Sequence, residues 1–318
     1  MILSDNMRGA LAMIGAMTAF TVNDAFMKTL ADEMPLFQSL ALRGIAASLI
    51  MVVLARMLGQ WRLDLPRRDW GLMAIRAVAE MAGAWTFVTA LFHMPIGNVS
   101  AILQALPLTI TLASALILGE AVGWRRMLAI LIGLCGVMLI VRPGHDGFSI
   151  YALYALACVA CVTVRDIVSR MLSPGTPSVM VAATSAIGVM LFAGLGSAFV
   201  DWQPVSVSAA LRLGGSVLFL IGGYTLSVTA VRHGDMAFVA PFRYSGLLVA
   251  LVIGILVFGD WPDGWMLAGA AIVVATGLYT LYREQRLRRA AKMPVFGASV
   301  AIAAGVAPAR AAAEPSGR

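Results

Sequence analysis

The chain predicts an all-α membrane protein of ten transmembrane helices, built as two five-helix repeats of opposite orientation. Three observations carry that prediction. Apolar residues make up 60% of the 318 residues and charged residues only 12%. That is about half the charge of a soluble domain, too little polar surface to dress a globule in water. The apolar residues fall into runs near twenty residues long, the length of helix that crosses a hydrocarbon core of roughly 30 Å. Polar residues of the first half then recur, in order, in the second.

The first run, Gly9–Leu30, is too long for the apolar region of a cleaved signal and reads as a retained first helix. Polar punctuation separates it from Phe37–Met57, Trp70–Phe92, Asn98–Leu118 and Trp124–Val141. A second set of five follows: Phe148–Arg170, Pro177–Val200, Ala209–Val231, Met236–Phe258 and Gly264–Tyr282. A membrane strand would need only about 9–11 alternating residues, so runs this long and continuous are helices. Pro107 and Pro241 lack the N–H that a helix interior requires and predict bends in the fourth and ninth spans. Residues 1–146 and 147–284 form the two repeats. Residues 285–318 are a basic, then Ala- and Gly-rich, cytoplasmic tail expected to be poorly ordered.

The net charge of +7 could suggest a nucleic-acid partner, but its distribution argues for topology instead. Arg8, Arg56, Arg62, Arg67, Arg68, Arg125, Arg126, Arg170, Arg232 and the cluster from Arg283 to Lys292 fall on one side of the ten spans. The other side holds Lys28 and Arg142, with Arg212 near a helix end. Positive residues mark the cytoplasmic side. Both termini are therefore expected in the cytoplasm of a bacterial inner membrane, and no nucleic acid is expected as partner.

The repeat is visible in particular residues. Thr21-Val22-Asn23-Asp24, Lys28, Leu30 and Pro35 return 142 positions later as Thr163-Val164-Arg165-Asp166, Arg170, Leu172 and Pro177. Gly83, His93 and Gly119-Glu120 return 140 positions later as Gly223, His233 and Gly259-Asp260. Trp124 and Gly136 match Trp265 and Gly277 at 141. Five spans is an odd number, so the second copy enters the membrane from the opposite side, an architecture used by secondary transporters.

The residues that could carry chemistry are few. Cys158 and Cys161 make a C-x-x-C spacing, but with Cys135 they lie in apolar runs, where thiols pack rather than react. With three His and no metal or nucleophile motif, no catalytic residue, metal or cofactor is expected, and the chain is not read as an enzyme. Charges inside spans cost about 2.5–3.5 kcal/mol each, so they face the bundle interior and need partners. Asp24 with Lys28, Arg76 with Glu80, and Asp166 with Arg170 are each four apart, the spacing for pairs on one helix face. Such pairs either neutralise one another or act as gates. Arg43, Arg165 and Arg243 have no acid four residues away. Arg43 suits an ion pair or snorkelling, and Arg243 a forked contact with a substrate carboxylate or phosphate. Tyr244 and Gln104, at matching repeat positions, are candidate substrate hydrogen-bonders. Trp85 and Tyr224 are candidate stacking surfaces, and Arg76 and Glu80 candidate contacts. His93 and His233 sit at helix ends and suit structural roles.

The pattern resembles the ten-helix members of the drug/metabolite transporter superfamily, built from two EamA-type repeats, over about residues 8–284. The resemblance rests on Thr-x-x-Asp-x-x-x-Lys in the first span and Leu-x-Arg-Gly in the second. It also rests on the Pro107 to Gly119-Glu120 stretch, followed by Gly133 and Gly136. Asp260 stands where the family usually has Glu. The resemblance implies a central cavity lined by spans one, three, four, six, eight and nine. It implies cargo drawn from small organic metabolites such as amino acids, nucleotide-linked compounds, vitamins and drugs. One surplus positive charge inside the spans favours an anionic or zwitterionic molecule. Export of drugs or metabolites by proton antiport is the alternative. A small-molecule substrate, the bilayer and protons as coupling ion are the expected partners, for a monomer or homodimer without a nucleotide-binding domain.

Overall fold

The computed structural model describes residues 5–61, 64–120, 122–143, 149–233 and 235–292. Arg62, the linker 144–148, the side chains of Arg288, Arg289 and Lys292, and the tail beyond 292 lie outside the described residues. Those described form helices and turns with no strand, and ten helices are long and apolar enough to cross a membrane.

The spans are α1 (Asp5–Lys28), α2 (Leu36–Met57), α3 (Arg67–His93), a fourth made of α4 (Ile96–Leu103) and α5 (Leu106–Ile117), and α6 (Trp124–Val141). There follow α7 (Ile150–Met171), α8 (Ser178–Ser197) and α9 (Val207–His233). The ninth span joins α10 (Met236–Val239), a 3-10 turn Ala240–Tyr244, α11 (Ser245–Ile253) and a π turn Gly254–Phe258; α12 (Gly264–Lys292) is the tenth. Pro35, Pro66, Pro95 and Pro177 immediately precede α2, α3, α4 and α8. Proline is tolerated at a helix start because the missing N–H has no acceptor there. Residues up to Leu281 form one compact unit, and Tyr282 begins another.

The face carrying the start of α1 is called near, and the face carrying its end, far. Within the bundle α1 lies along α9 and packs on α11, while α7 lies along α3 and packs on α4 and α5. Two groups result, one from spans one, eight and nine, the other from three, four and six. α2 and α8 join them on one side. α6 and α12 cross at glycines: a Cβ on Gly269 would lie 2.6 Å from the Gly136 carbonyl oxygen. The far ends of α1, α3 and α4 share a core of Met27, Leu30, Leu91 and Ile96.

The fourth and ninth spans both break, the fourth at Gln104 and Ala105 and the ninth near its start. Pro107 has no N–H to offer the Leu103 carbonyl, and the Leu108 N–H turns to Ala105 O at 2.9 Å. Gln104 and Ala105 therefore leave the helix. In the ninth span Pro241 sits in the 3-10 turn that ends at Tyr244, the position 140 residues after Gln104.

Candidate functional site

Two polar layers cross the space between the two groups. In the nearer layer α3 presents Arg76 and Glu80, and α7 presents Arg165, Asp166 and Ser169. Glu80 Oε1 holds Arg165 Nη1 at 3.3 Å, and Glu80 Oε2 lies 3.8 Å from Arg76. Arg165 Nε also donates to Asp166 Oδ1 at 2.8 Å. Arg76 donates to Ser169 Oγ at 2.9 Å, to the Val181 carbonyl at 3.2 Å and to Ser185 Oγ. Both guanidiniums are satisfied.

Of the three pairs suggested by spacing, only Arg76–Glu80 forms. Asp24 does not meet Lys28; Asn23 Nδ2 donates to it at 2.9 Å, and Arg43 is the cation within its electrostatic reach. Lys28 instead donates to the Leu91 carbonyl at 3.4 Å and to that of Met94. Asp166 pairs with its neighbour Arg165, and Arg170 turns to Ser114 Oγ at 3.0 Å and Glu120 Oε1 at 3.5 Å. Spacing limits which groups can meet on one helix. It is silent about carbonyls and charges on the helices packed against it.

In the farther layer Ser216 Oγ donates to Asn23 Oδ1 at 2.7 Å, both residues being buried. Arg43 reaches in from α2. Its Nη1 is buried and has no hydrogen-bond partner among the described residues. Tyr224 is 50% exposed, sets its ring edge-on to Phe20 at 5.3 Å, and lies within electrostatic reach of Glu80, Arg43, Arg165 and Arg76. It stands beside the charged layer as a candidate aromatic surface. Its neighbour Gly223 makes room, since a Cβ there would stand 2.6 Å from the Phe20 ring.

Arg243 is exposed and makes no ion pair or hydrogen bond among the described residues. It lies in the 3-10 turn that packs on α1 and α11. In the fourth span Thr109 of α5 bonds Thr163 of α7 at 2.8 Å. Gln104, half-buried at the break, forms no side-chain hydrogen bond among the described residues.

Two candidates leave the site. Trp85 shares its face of α3 with Val78, seven residues earlier and 60% exposed. It lies about 140° around the helix from Glu80, so it faces lipid, edge-on to Tyr154 at 5.7 Å. Tyr244 is buried with its hydroxyl against Gly277 and unpartnered among the described residues; it packs the ninth span on the tenth. His93 stacks on Tyr151 at 4.0 Å and bonds the Thr89 carbonyl, and the His233 side chain lies outside the described residues. Cys135, Cys158 and Cys161 are unbridged. Among the described residues no group of three or more His, Cys, Asp or Glu could hold a metal. Asn23, Ser169, Ser185 and Ser216 were not singled out from the sequence. Ser185 had a signal, since it is the repeat counterpart of Arg43, 142 positions on.

An apolar cleft of about 380 Å³ opens between Trp124, Leu128, Ile132, Thr276 and Tyr279. It lies on the lipid side of α6 and α12, away from every charge just described except Arg125 at its rim, so size alone does not mark the site. Hydrogen bonds tie neighbouring helix ends at both faces. At the far face Arg212 of α9 bonds the Thr29 carbonyl and Glu33, which lies outside the spans, and this bond holds the Glu33 carboxyl below its usual range. Gln38 and Gln203 exchange amide hydrogen bonds at 2.8 and 3.0 Å. Burial pushes the Asp263 carboxyl up, but bonds from the Met266 N–H and Arg142 outweigh it and leave it below its ordinary value. At the near face Asp69 accepts from Thr176 at 2.7 Å and Ser173 at 3.1 Å.

Residues 7–142 match the model of the EamA-like transporter family. Similar curated proteins include a riboflavin transporter of Vibrio cholerae, 28% identical over 290 residues that cover 89% of this chain and 96% of the relative. The pseudopaline exporter CntI of Pseudomonas aeruginosa is 25% identical, covering 84% and 93%. An S-adenosylmethionine uptake transporter of Rickettsia prowazekii is 22% identical, covering 89% and 96%. A solved crystal structure has the same fold, with a TM-score of 0.59 at 20% identity over 89% of this chain and 99% of its own.

Proposed function

As a member of the EamA-like transporter family of the drug/metabolite transporter superfamily, this chain, we propose, carries a small anionic or zwitterionic metabolite by alternating access around its central cavity. It is a multi-pass membrane transporter and not an enzyme. The observation that supports the cargo is the imbalance of satisfied charge. Arg76 and Arg165 have carboxylates at 3.3–3.8 Å, whereas Arg43 carries an unpartnered buried nitrogen and Arg243 no partner among the described residues. A guanidinium keeps its charge at any physiological pH. Two uncommitted forks suit a visiting carboxylate or phosphate, with Tyr224 as a stacking wall beside Arg43.

The helix pairings support an inverted repeat over residues 1–146 and 147–284: one with eight mirrors six with three, and one with nine mirrors six with four. The placement we infer is a bacterial inner membrane with both termini cytoplasmic. A second reading, export by proton antiport, is favoured by Asp24, a carboxylate inside the first span with no cation within ion-pair distance among the described residues. Riboflavin, S-adenosylmethionine and pseudopaline, the cargoes named for the relatives, form the first panel in a thermal-shift screen of the purified protein.

The test is uptake into proteoliposomes by Arg243→Lys and Arg43→Lys. Each keeps the charge and loses the fork, so affinity should weaken by about 1–3 kcal/mol, roughly tenfold to a hundredfold. Unchanged affinity in Arg243→Lys and Arg243→Gln removes that residue as a ligand. Loss of pH-gradient-driven efflux in Asp24→Asn, with exchange retained, selects the antiport reading.

A further inference from the structure

Lys28 and Arg170 hold equivalent places in the two halves, and so do the acids Asp260 and Glu120. The structure treats the two sets differently. Lys28, at the end of α1, donates to the carbonyls of Leu91 and Met94 where α3 stops. The last carbonyls of a helix have no helical N–H to accept and carry its negative dipole end, so an ammonium is a natural cap. The cap ties the first group of spans to the second and shuts the far face, where α1 packs on α3. Asp260, within electrostatic reach of Lys28, is left with a buried Oδ2 that has no partner among the described residues.

Arg170 does the opposite. It rests on Glu120 and Ser114, its side chain 51% exposed and that of Glu120 53%. Nothing on α9 receives it among the hydrogen bonds described, and α7 has no packing on α9 comparable to that of α1 on α3. The counterpart of Leu91 in the second half is Val231, near the end of α9. One basic residue thus caps the facing helix while its acid stands vacant; the other sits on its acid while the facing helix end waits.

We propose that Lys28 and Arg170 are exchanging latches of the transport cycle. In the conformation described, Lys28 closes the far face and Arg170 is parked on Glu120. In the opposite conformation Arg170 caps the last carbonyls of α9 around Val231, and Lys28 parks on Asp260. Each cation trades a helix end for a carboxylate, so neither is stranded in either state, and the two faces cannot both be latched open at low cost. The proposal rests on the alternating-access reading.

The test is amide hydrogen exchange of the full chain in nanodiscs, without cargo, comparing the wild type with Lys28→Gln, Lys28→Arg, Glu120→Gln and Arg170→Gln. Lys28→Gln should speed exchange at the far ends of α1 and α3 and slow it at the near ends of α7 and α9. The expected shift between the two states is about tenfold, the size of one charge-assisted hydrogen bond. Glu120→Gln, which touches nothing at the far face, should move both faces the same way by releasing Arg170. Arg170→Gln should protect neither near end, and Lys28→Arg should restore the wild-type pattern. Faster far-face exchange in Lys28→Gln with no slowing at the near face makes Lys28 a structural cap and overturns the latches, as does an unmoved far face in Glu120→Gln. Reciprocal exchange in a protein that takes up none of the panel would count against the cargo and leave the latches standing.

Discussion

Removing Glu80 should unbalance the whole nearer layer. Its carboxylate faces Arg165 at 3.3 Å and Arg76 at 3.8 Å, with side chains 27%, 26% and 15% exposed respectively. Unit charges about 3.3 Å apart attract by about 5 kcal/mol at an effective dielectric constant near 20. Desolvation of both ions cancels much of that, and breaking a buried pair from one side still costs about 3 kcal/mol because a charge is stranded. Glu80→Gln should therefore lower the melting temperature by roughly 6–12 °C, at about 2–4 °C per kcal/mol. Arg165→Gln should cost less, because Glu80 keeps Arg76. The double variant removes one charge of each sign and should recover about 1–2 kcal/mol relative to the sum of the singles. The assay is thermal unfolding of the four proteins in one detergent, followed by fluorescence-detected gel filtration. Additive shifts would mean that the three side chains are neighbours without being a network.

Gly269→Ala should melt several degrees lower, since its Cβ would meet the Gly136 carbonyl at 2.6 Å and overpacking costs about 1–3 kcal/mol. Gly194→Ala, with open space around it, is the control, and equal melting of the two would refute the close crossing of α6 and α12. Asp263 has a folded value below its ordinary 3.8. Its contribution is therefore complete above that value and lost as the pH falls through the folded one, below about pH 4. Arg142→Gln should flatten this acid limb in a melting-temperature profile, and an identical limb in both proteins would contradict it. A reporter active only in the periplasm should be silent when fused at the C-terminus and active after Pro262, and the reverse result would invert the orientation.

The ten spans were legible because a continuous apolar run has one use in a membrane, and the helices start and stop within a few residues of it, except that α12 runs on to Lys292, into the segment expected to be a poorly ordered tail. The breaks were legible from Pro107 and Pro241, although the unwinding falls on Gln104 and Ala105, whose partners the proline removes. Side-chain direction was much less legible. In a soluble helix the apolar stripe points to the core, but a membrane helix is apolar toward lipid as well. Trp85 could thus be read into the cavity when it faces out beside Val78. The partners of Lys28 were illegible for another reason: its acceptors are backbone carbonyls 63 and 66 residues away, and every residue type carries a carbonyl. Arg43 was read as a structural cation because its orphaned nitrogen appears only when α2 is set beside α1 and α9.

The paired breaks in the fourth and ninth spans bear on how such a protein changes its diet. Pro107 leaves the Leu103 carbonyl, and Pro241 the Ala237 carbonyl, without the amide that a regular helix would supply. These oxygens belong to the main chain, one from each half, that of Leu103 within its span and that of Ala237 at the entrance of its own. Point mutation can swap an arginine, a tyrosine or a glutamine beside them, but it cannot delete a carbonyl. A lineage can therefore rewrite the side chains around the two breaks while inheriting the carbonyls that the prolines free.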